Sequence, residues 1–370
     1  MATIGDVARA ANVSIATVSR ALNGSTLVSD ATAARVRAAA AELDYWPNSA
    51  ARNLIRRRTQ AIGVLLPDLH GEFFSEVIRG LDGAARRAGL QILLSSSHAS
   101  ADEVVNVARS MRGRVDGLIV MTSDSAAASA VESIHRRFPL VLMNPCFDVD
   151  GCPAVSIANA AGSARVARHL LGLGHRSIAI LRGPDGNTDA IERLRGFRDA
   201  VDRTAADATL VELEGDFTES SGYQAAASLL RRRSRPTAVF ATNDSMAIGL
   251  IRRLHATGMG VPADMAVVGF DDIAIARYLT PALTTVRVDA HRLGDRAVEL
   301  LVARATQSSN GARRREVLPA ELVIRESCGA AMAAGRGAAD GPPEIRSHVR
   351  PHGRSRDGAT PTRSTGRSSS

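Results

Sequence analysis

The chain has 370 residues, enough for two or three domains with sizeable cores, and its formal net charge of +8 is unevenly spread. Residues 1–60 carry +4, residues 61–330 are neutral and residues 331–370 carry +4, and every basic residue is Arg. The Met-Ala-Thr start lacks the charged and apolar regions of a signal peptide, and no apolar run approaches the roughly 18 residues of a membrane span; the expectation is a cytoplasmic protein without membrane contact. Cys146, Cys152 and Cys328 are odd in number and lie in no zinc spacing, so free buried thiols are expected and neither a metal site nor a bound cofactor is.

Thr3-Ile4-Gly5-Asp6 has the form of a capping box opening a short helix whose apolar stripe is Ile4, Val7, Ala8 and Ala11. Asn12-Val13 leaves room only for a tight turn before Ser14 caps a second helix, which Asn23-Gly24 ends. In that helix Val18, Ala21 and Leu22 share the inner stripe, while Ile15, Ala16, Ser19 and Arg20 point outward. Two short helices joined in this way read as a helix-turn-helix, whose second helix enters the major groove. Ser29 is expected to cap a third helix running to about Leu43, with Val36, Ala40 and Leu43 buried. Pro47 stops the chain and Asn48 opens a further helix over residues 49–55, too short to be stable alone, before the run Arg56-Arg57-Arg58.

From Ala61 the pattern changes to apolar runs of strand length alternating with helical stretches. Strands are predicted over 62–66, 92–94, 117–121 and 140–143, then near Val155 and over 178–181, 210–213, 238–241 and 266–268. Helices fall near 164–171, 192–200, 222–230 and 246–255. Such runs imply parallel sheets covered on both faces, here in two α/β lobes. Ligands of open parallel sheets bind beyond the carboxyl ends of the strands, so a cleft between the lobes is the expected small-molecule site. Residues 331–370 hold no Leu, Phe or Trp and are rich in Gly, Pro, Ser and Arg, which reads as a disordered basic tail without the heptads of a tetramerising coil.

The motifs Thr3-Ile4-Gly5-Asp6-Val7-Ala8, Val13-Ser14 and Thr17-Val18-Ser19-Arg20 resemble the head of lactose-repressor (LacI/GalR) family regulators. So do Tyr45-Trp46-Pro47-Asn48 with Ala51-Arg52-Asn53-Leu54, and, in the sensor region, Pro67-Asp68-Leu69, Gly172-Leu173-Gly174-His175-Arg176, Arg193-Leu194-Arg195-Gly196-Phe197, Asn243-Asp244 and Val268-Gly269-Phe270-Asp271-Asp272. The resemblance implies a three-helix DNA-binding head at 1–46, a hinge helix and linker at 47–60, and a two-lobed, periplasmic-binding-protein-like sensor at 61–330. Its lobes would be about 61–157 and 158–285, with crossovers following. It implies a dimer on double-stranded operator DNA, with contacts from Thr3, Ser14, Ile15, Ala16, Thr17, Ser19, Arg20, Asn23 and Ala51, and Leu54 as the wedge in the minor groove. Ile15, Ala16 and Arg20 are the base-reading positions on this resemblance; of these, only Arg20 has the two-pronged geometry that suits guanine O6 and N7. Thr17 and Ser19 are expected on phosphates.

In the sensor the resemblance brings Arg193, Asn243 and Asp271 together in the cleft to hydrogen-bond a polyhydroxylated effector, a sugar by preference, with Phe217 as an apolar face for its ring and Phe73 and Phe74 on the opposite wall. A structural Arg193–Asp271 salt bridge is the competing expectation. Two departures from the family pattern stand out. Gly71-Glu72 precedes the paired Phe where Asn-Pro is common, and Ala158 precedes Asn159 where Asp is usual. A solute-binding protein of the same fold is the alternative function, disfavoured by the helix-turn-helix and the lack of a signal peptide. An enzyme is not expected: there is no Gly-x-Gly-x-x-Gly after a strand, no Walker lysine and no Gly-x-Ser-x-Gly elbow. Asp271-Asp272 is read as a loop or ligand contact and not as a metal site.

Overall fold

Alternate residues of the first long strand go to opposite faces, and this period of two organises the larger part of the molecule. In the computed structural model, which describes residues 2–46, 58–98, 100–122, 124–205, 207–306 and 315–330, strand β1 (Ala61–Leu66) sends Ile62, Val64 and Leu66 into one core and Ala61 and Leu65 into another. It lies in a six-stranded, all-parallel sheet with β2 (Gln91–Ser96), β3 (Leu118–Met121), β4 (Leu140–Met143), β5 (Ala154–Ile157) and β11 (Arg315–Leu318), in the order β11-β5-β4-β3-β1-β2. The second lobe repeats the design with β6 (Ser177–Leu181), β7 (Thr209–Leu213), β8 (Ala238–Ala241) and β9 (Ala266–Val268) in the parallel order β7-β6-β8-β9. Its Ile178, Ile180 and Phe240 join the first lobe's Val64 and Val155 in one continuous core. The expectation that the sheets are covered throughout fails at an edge: β2 pairs only with β1 and leaves Leu93 and Leu94 exposed.

The chain passes between the lobes more than once. After β10 (Thr285–Val288), helix α11 (Ala290–Thr306) returns to pack against α4 (Glu72–Arg87) of the first lobe, and β11 completes the first sheet. Strand β12 (Ala320–Val323) then pairs antiparallel with β10. The α4–α11 pair touches backbone to backbone: a Cβ on Gly80 would lie 1.9 Å from the His291 carbonyl oxygen, and one on Gly294 would lie 2.2 Å from that of Val77. Glycine is required there by close approach. Asp295 of α11 accepts from Arg87 and, at 2.7 Å, from Arg292, which fixes the same crossing.

At the N-terminus α1 (Ile4–Ala10), α2 (Ile15–Leu22) and α3 (Asp30–Glu42) close around Val7, Ala11, Val18, Ala21 and Val36. Leu43 is a correction: α3 stops at Glu42, Asp44 takes a left-handed φ of 47°, and the turn carries Leu43 out to solvent while Tyr45 packs against the core in its place. All three cysteines are free; Cys152 and Cys328 are buried, whereas Cys146 is only half-buried. No helix among the described residues is long and apolar enough to cross a membrane. The hinge residues Ala51 and Leu54, and the tail from 331, lie outside the described residues.

Candidate functional site

The head is assembled from caps. Thr3 and Asp6 form a reciprocal capping box: the Asp6 amide donates to Thr3 Oγ1 at 3.3 Å, and the Thr3 amide and hydroxyl donate to Asp6 Oδ2 at 2.9 and 2.7 Å. The Thr3 hydroxyl bond is the chief reason the Asp6 carboxyl is held below its usual range. Asn12 makes the tight turn with φ 50°, and Ser14 Oγ accepts from the Thr17 amide at 3.1 Å to start α2. Asn23 closes it, donating from Nδ2 to the Ser19 carbonyl at 2.7 Å. These caps fix which face α2 presents: Val18 is fully buried, while Ile15, Ala16 and Arg20 are exposed and Thr17 and Ser19 stand at the border. Ile15 keeps 54% of its surface open beside the exposed Ala16 and Arg20.

The cleft is organised around Arg193 of α8 (Thr188–Thr204), whose residue surface is 4% exposed. Each guanidinium nitrogen has its own partner: Nε donates to Asn159 Oδ1 at 2.9 Å, Nη1 to the Thr242 carbonyl at 2.6 Å, and Nη2 lies 3.0 Å from Asp271 Oδ1. The last contact has ion-pair distance without hydrogen-bond alignment, so Asp271 Oδ1 keeps a lone pair unspent. The cation also stacks 3.8 Å from the centroid of the buried Phe270 ring and 6.0 Å from that of Phe217. Asp271, at φ 115° after β9, is pushed up to about 6 by burial, against the pull of the Arg193 charge. Asp272 turns the other way and accepts from Arg287 at 2.8 Å and Arg325 at 2.6 Å. That gives each carboxylate of the Asp-Asp pair an arginine, and among the described residues no group of three or more His, Cys, Asp or Glu is placed to hold a metal.

The other predicted residues divide. Asn243 caps α10 (Asp244–Ala256), accepting from the Met246 amide at 3.0 Å, and donates to the Phe217 carbonyl at 2.9 Å; it therefore holds the loop that carries Phe217. Phe217 adopts φ 70°, and its ring covers Gly183, where a Cβ would sit 2.3 Å from it. Phe73 and Phe74 form an edge-to-face pair with centroids 5.4 Å apart in the first turn of α4, beyond the carboxyl end of β1. The structure thus joins Arg193, Asp271, Phe217 and Asn243 on the second lobe, and leaves the two phenylalanines on the first.

Sequence reasoning missed the residues that complete the site. Asn159, the first residue of α7 (Asn159–Gly172), donates from Nδ2 to Asp189 Oδ1 at 2.7 Å while its oxygen receives Arg193. Burial raises the Asp189 carboxyl, opposed by Arg193 and Asn159. A cavity of about 190 Å³ opens here between Asn144 and Ser156 of the first lobe and Asn159, Asp189 and Glu192 of the second. Ser156 Oγ is buried without a hydrogen-bond partner among the described residues, and Asn144 Nδ2, also buried, meets no hydrogen-bond geometry there yet lies close enough to Asp189 to lower its carboxyl. The i, i+4 spacing of Asp189 and Arg193, and an Asn directly after the strand at 140–143, were the available signals.

Residues 3–48 match the model of bacterial regulatory proteins of the lacI family, and residues 167–328 match that of the periplasmic binding protein-like domain. The HTH-type transcriptional repressor PurR of Proteus mirabilis is 38% identical over 334 residues, 88% of this chain and 97% of that protein. The ribose operon repressor of Escherichia coli is 35% identical over 327 residues, 86% and 98% of the two chains. Among solved structures, a lac repressor dimer bound to operator and the anti-inducer ONPF superposes with a TM-score of 0.79 at 31% identity, covering 88% of this chain and 99% of that one. Head, sensor and their order along the chain are all shared with these proteins, and the chain belongs to the LacI family of bacterial regulatory proteins.

Proposed function

We propose that the protein is a cytoplasmic transcriptional repressor that binds a near-palindromic operator as a homodimer and reports a small polyhydroxylated molecule. One observation carries this reading: a single chain joins an outward recognition face, Ile15, Ala16 and Arg20, to a polar cavity between two lobes that borders a buried arginine cluster. On the DNA side, Arg20 reads guanine, Ile15 and Ala16 meet thymine methyls or simply shape, and Thr17 and Ser19 bond phosphates, with Thr3, Ser14 and Asn23 beside them. Ala51 and Leu54 act at the minor groove, where a leucine wedge opens a base step at the operator centre.

On the sensor side, a sugar suits the cavity lined by Asn144, Ser156, Asn159, Asp189 and Glu192, whose amides, hydroxyl and carboxylates offer donors and acceptors beside the buried Arg193–Asp271 pair. The ribose operon repressor among its relatives supports that choice. A ligand shifts the DNA equilibrium only through different affinity for two states, and closing the lobes on a sugar is the difference available to this fold. The test is a gel-shift titration of the full chain on the DNA upstream of its own gene and on a scrambled duplex, at two salt concentrations. Specific retardation that weakens with salt supports the reading; equal affinity for both duplexes removes it.

A further inference from the structure

The polar cavity between the lobes carries more negative than positive charge on its wall. Asp189 and Glu192, both half-buried, stand three residues apart on α8, a spacing that puts them on one helical face, and both line the cavity. Among the described residues neither carboxylate forms an ion pair. Asp189 accepts from Asn159 Nδ2 at 2.7 Å and has Asn144 close by, and both of these are neutral amides. The two arginines at the site are committed elsewhere: Arg193 Nη2 lies 3.0 Å from Asp271, and Arg315 at the rim is 2.7 Å from Asp148. Asp189 and Glu192 are thus two like charges side by side with no countercharge of their own, an arrangement that an added cation relieves.

A second feature points to a ligand at the same place. Ser156, only 7% exposed, lines this cavity, and its hydroxyl has no partner among the described residues, which is costly unless an occupant bonds it. Two carboxylates of one helix are too few to hold a metal ion, and among the described residues no third such group joins them, so an organic cation fits them better. The volume of about 190 Å³ is below the roughly 300–1,000 Å³ of drug-sized sites and limits the occupant to one small ring. We propose that the effector carries a primary ammonium group, as an amino sugar does, and that Asp189 and Glu192 bind this group while Ser156 bonds a neighbouring hydroxyl. This rests on the sensor reading above and adds the charge of its ligand. The start of α7, which has no side-chain cap, also faces the cavity and favours an anion, but a helix end supplies only roughly half an elementary charge against two carboxylates.

The experiment is calorimetry on the full chain with glucosamine, galactosamine and mannosamine, each set against its neutral parent sugar and its N-acetyl derivative. One amino sugar is expected to bind about tenfold or more tightly than both of its uncharged counterparts. Asp189→Asn and Glu192→Gln should each erase most of that preference, and should the first misfold, the second reads it alone. A neutral sugar that binds as tightly as its amino counterpart overturns the ammonium contact and leaves the sugar sensor standing. Tighter binding of glucose 6-phosphate than of any amino sugar overturns it too, by giving the helix end the ligand's charge. A preference that survives in both variants places the ammonium away from these carboxylates and overturns the assignment. Refusal of every sugar, charged or neutral, overturns the proposal together with the sugar reading. Putrescine binding as tightly as the best amino sugar supports the ammonium contact and removes the polyol reading instead.

Discussion

The head and the cleft solve opposite problems. In the head, a core of Val and Ala is closed by helix caps; the base-reading candidates Ile15, Ala16 and Arg20 are left on the outside, whereas Thr3, Ser14 and Asn23 double as the caps themselves. In the cleft the polar groups are buried and have one another for partners: Arg193 is held by Asn159, Thr242 and Asp271, which come from three segments far apart in sequence. At Ile15, Ala16 and Arg20 function is therefore separable from stability. In the cleft the two are fused, because removing a contact that a ligand would use also strands a buried charge.

The largest expected effect follows from that fusion. Arg193→Leu leaves a buried carboxylate and two acceptors unpaired and should lower unfolding free energy by about 3–5 kcal/mol in urea titrations. The double variant Arg193→Met with Asp271→Leu removes both charges and should be distinctly more stable than Arg193→Leu; equal loss in the two would mean that packing and not charge holds the site. In the head, by contrast, Arg20→Ala should weaken operator binding by about 1–3 kcal/mol and relax preference at one guanine per half-site. It should change the unfolding midpoint little, since Arg20 has no partner among the described residues to lose. A uniform loss on all sequences would make Arg20 a phosphate contact.

Gly294→Ala sharpens the comparison from outside both sites. Its methyl meets the Val77 carbonyl oxygen at 2.2 Å, so α4 and α11 must separate, at a cost of about 1–3 kcal/mol in urea titration, with affinity for scrambled DNA unchanged. A gentler handle is pH. The Asp271 carboxyl titrates near 6 in the folded chain, above its ordinary value of 3.8. Between those values the native state holds a proton that the unfolded state has released, so this group makes the protein less stable as pH rises from about 4 to about 6. Asp271→Asn should remove that slope, measured as the difference in urea midpoint across the window; an identical slope would place its origin in Asp189 or Asp244, whose carboxyls burial also raises.

The same contrast explains what was legible in the sequence. Periodicity and caps placed α1, α2 and the outward face of Ile15, Ala16 and Arg20, because those signals are local. The strands were readable as apolar runs for the same reason, though not that β2 would be left at an edge, which depends on sheet order. Arg193 and Asp271 were reached through resemblance. Their partner Asn159, the stacking of Phe270 and the loop-holding role of Asn243 were not, since each depends on a contact between distant segments that no spacing encodes. The backbone contact of Gly80 and Gly294 with the opposite helix belongs to the same class.

In the proposed function cleft and head share one equilibrium, and such coupling must be reciprocal. A thermal-shift screen of aldoses and polyols on the full chain identifies a binder. Its effect on affinity for the upstream duplex is then measured by fluorescence anisotropy at fixed salt, and the effect of that duplex on binder affinity by calorimetry. The same factor is expected in both directions, about 5–150-fold as for other coupled sites. A sugar that binds the protein while its affinity is unchanged by saturating DNA would contradict it.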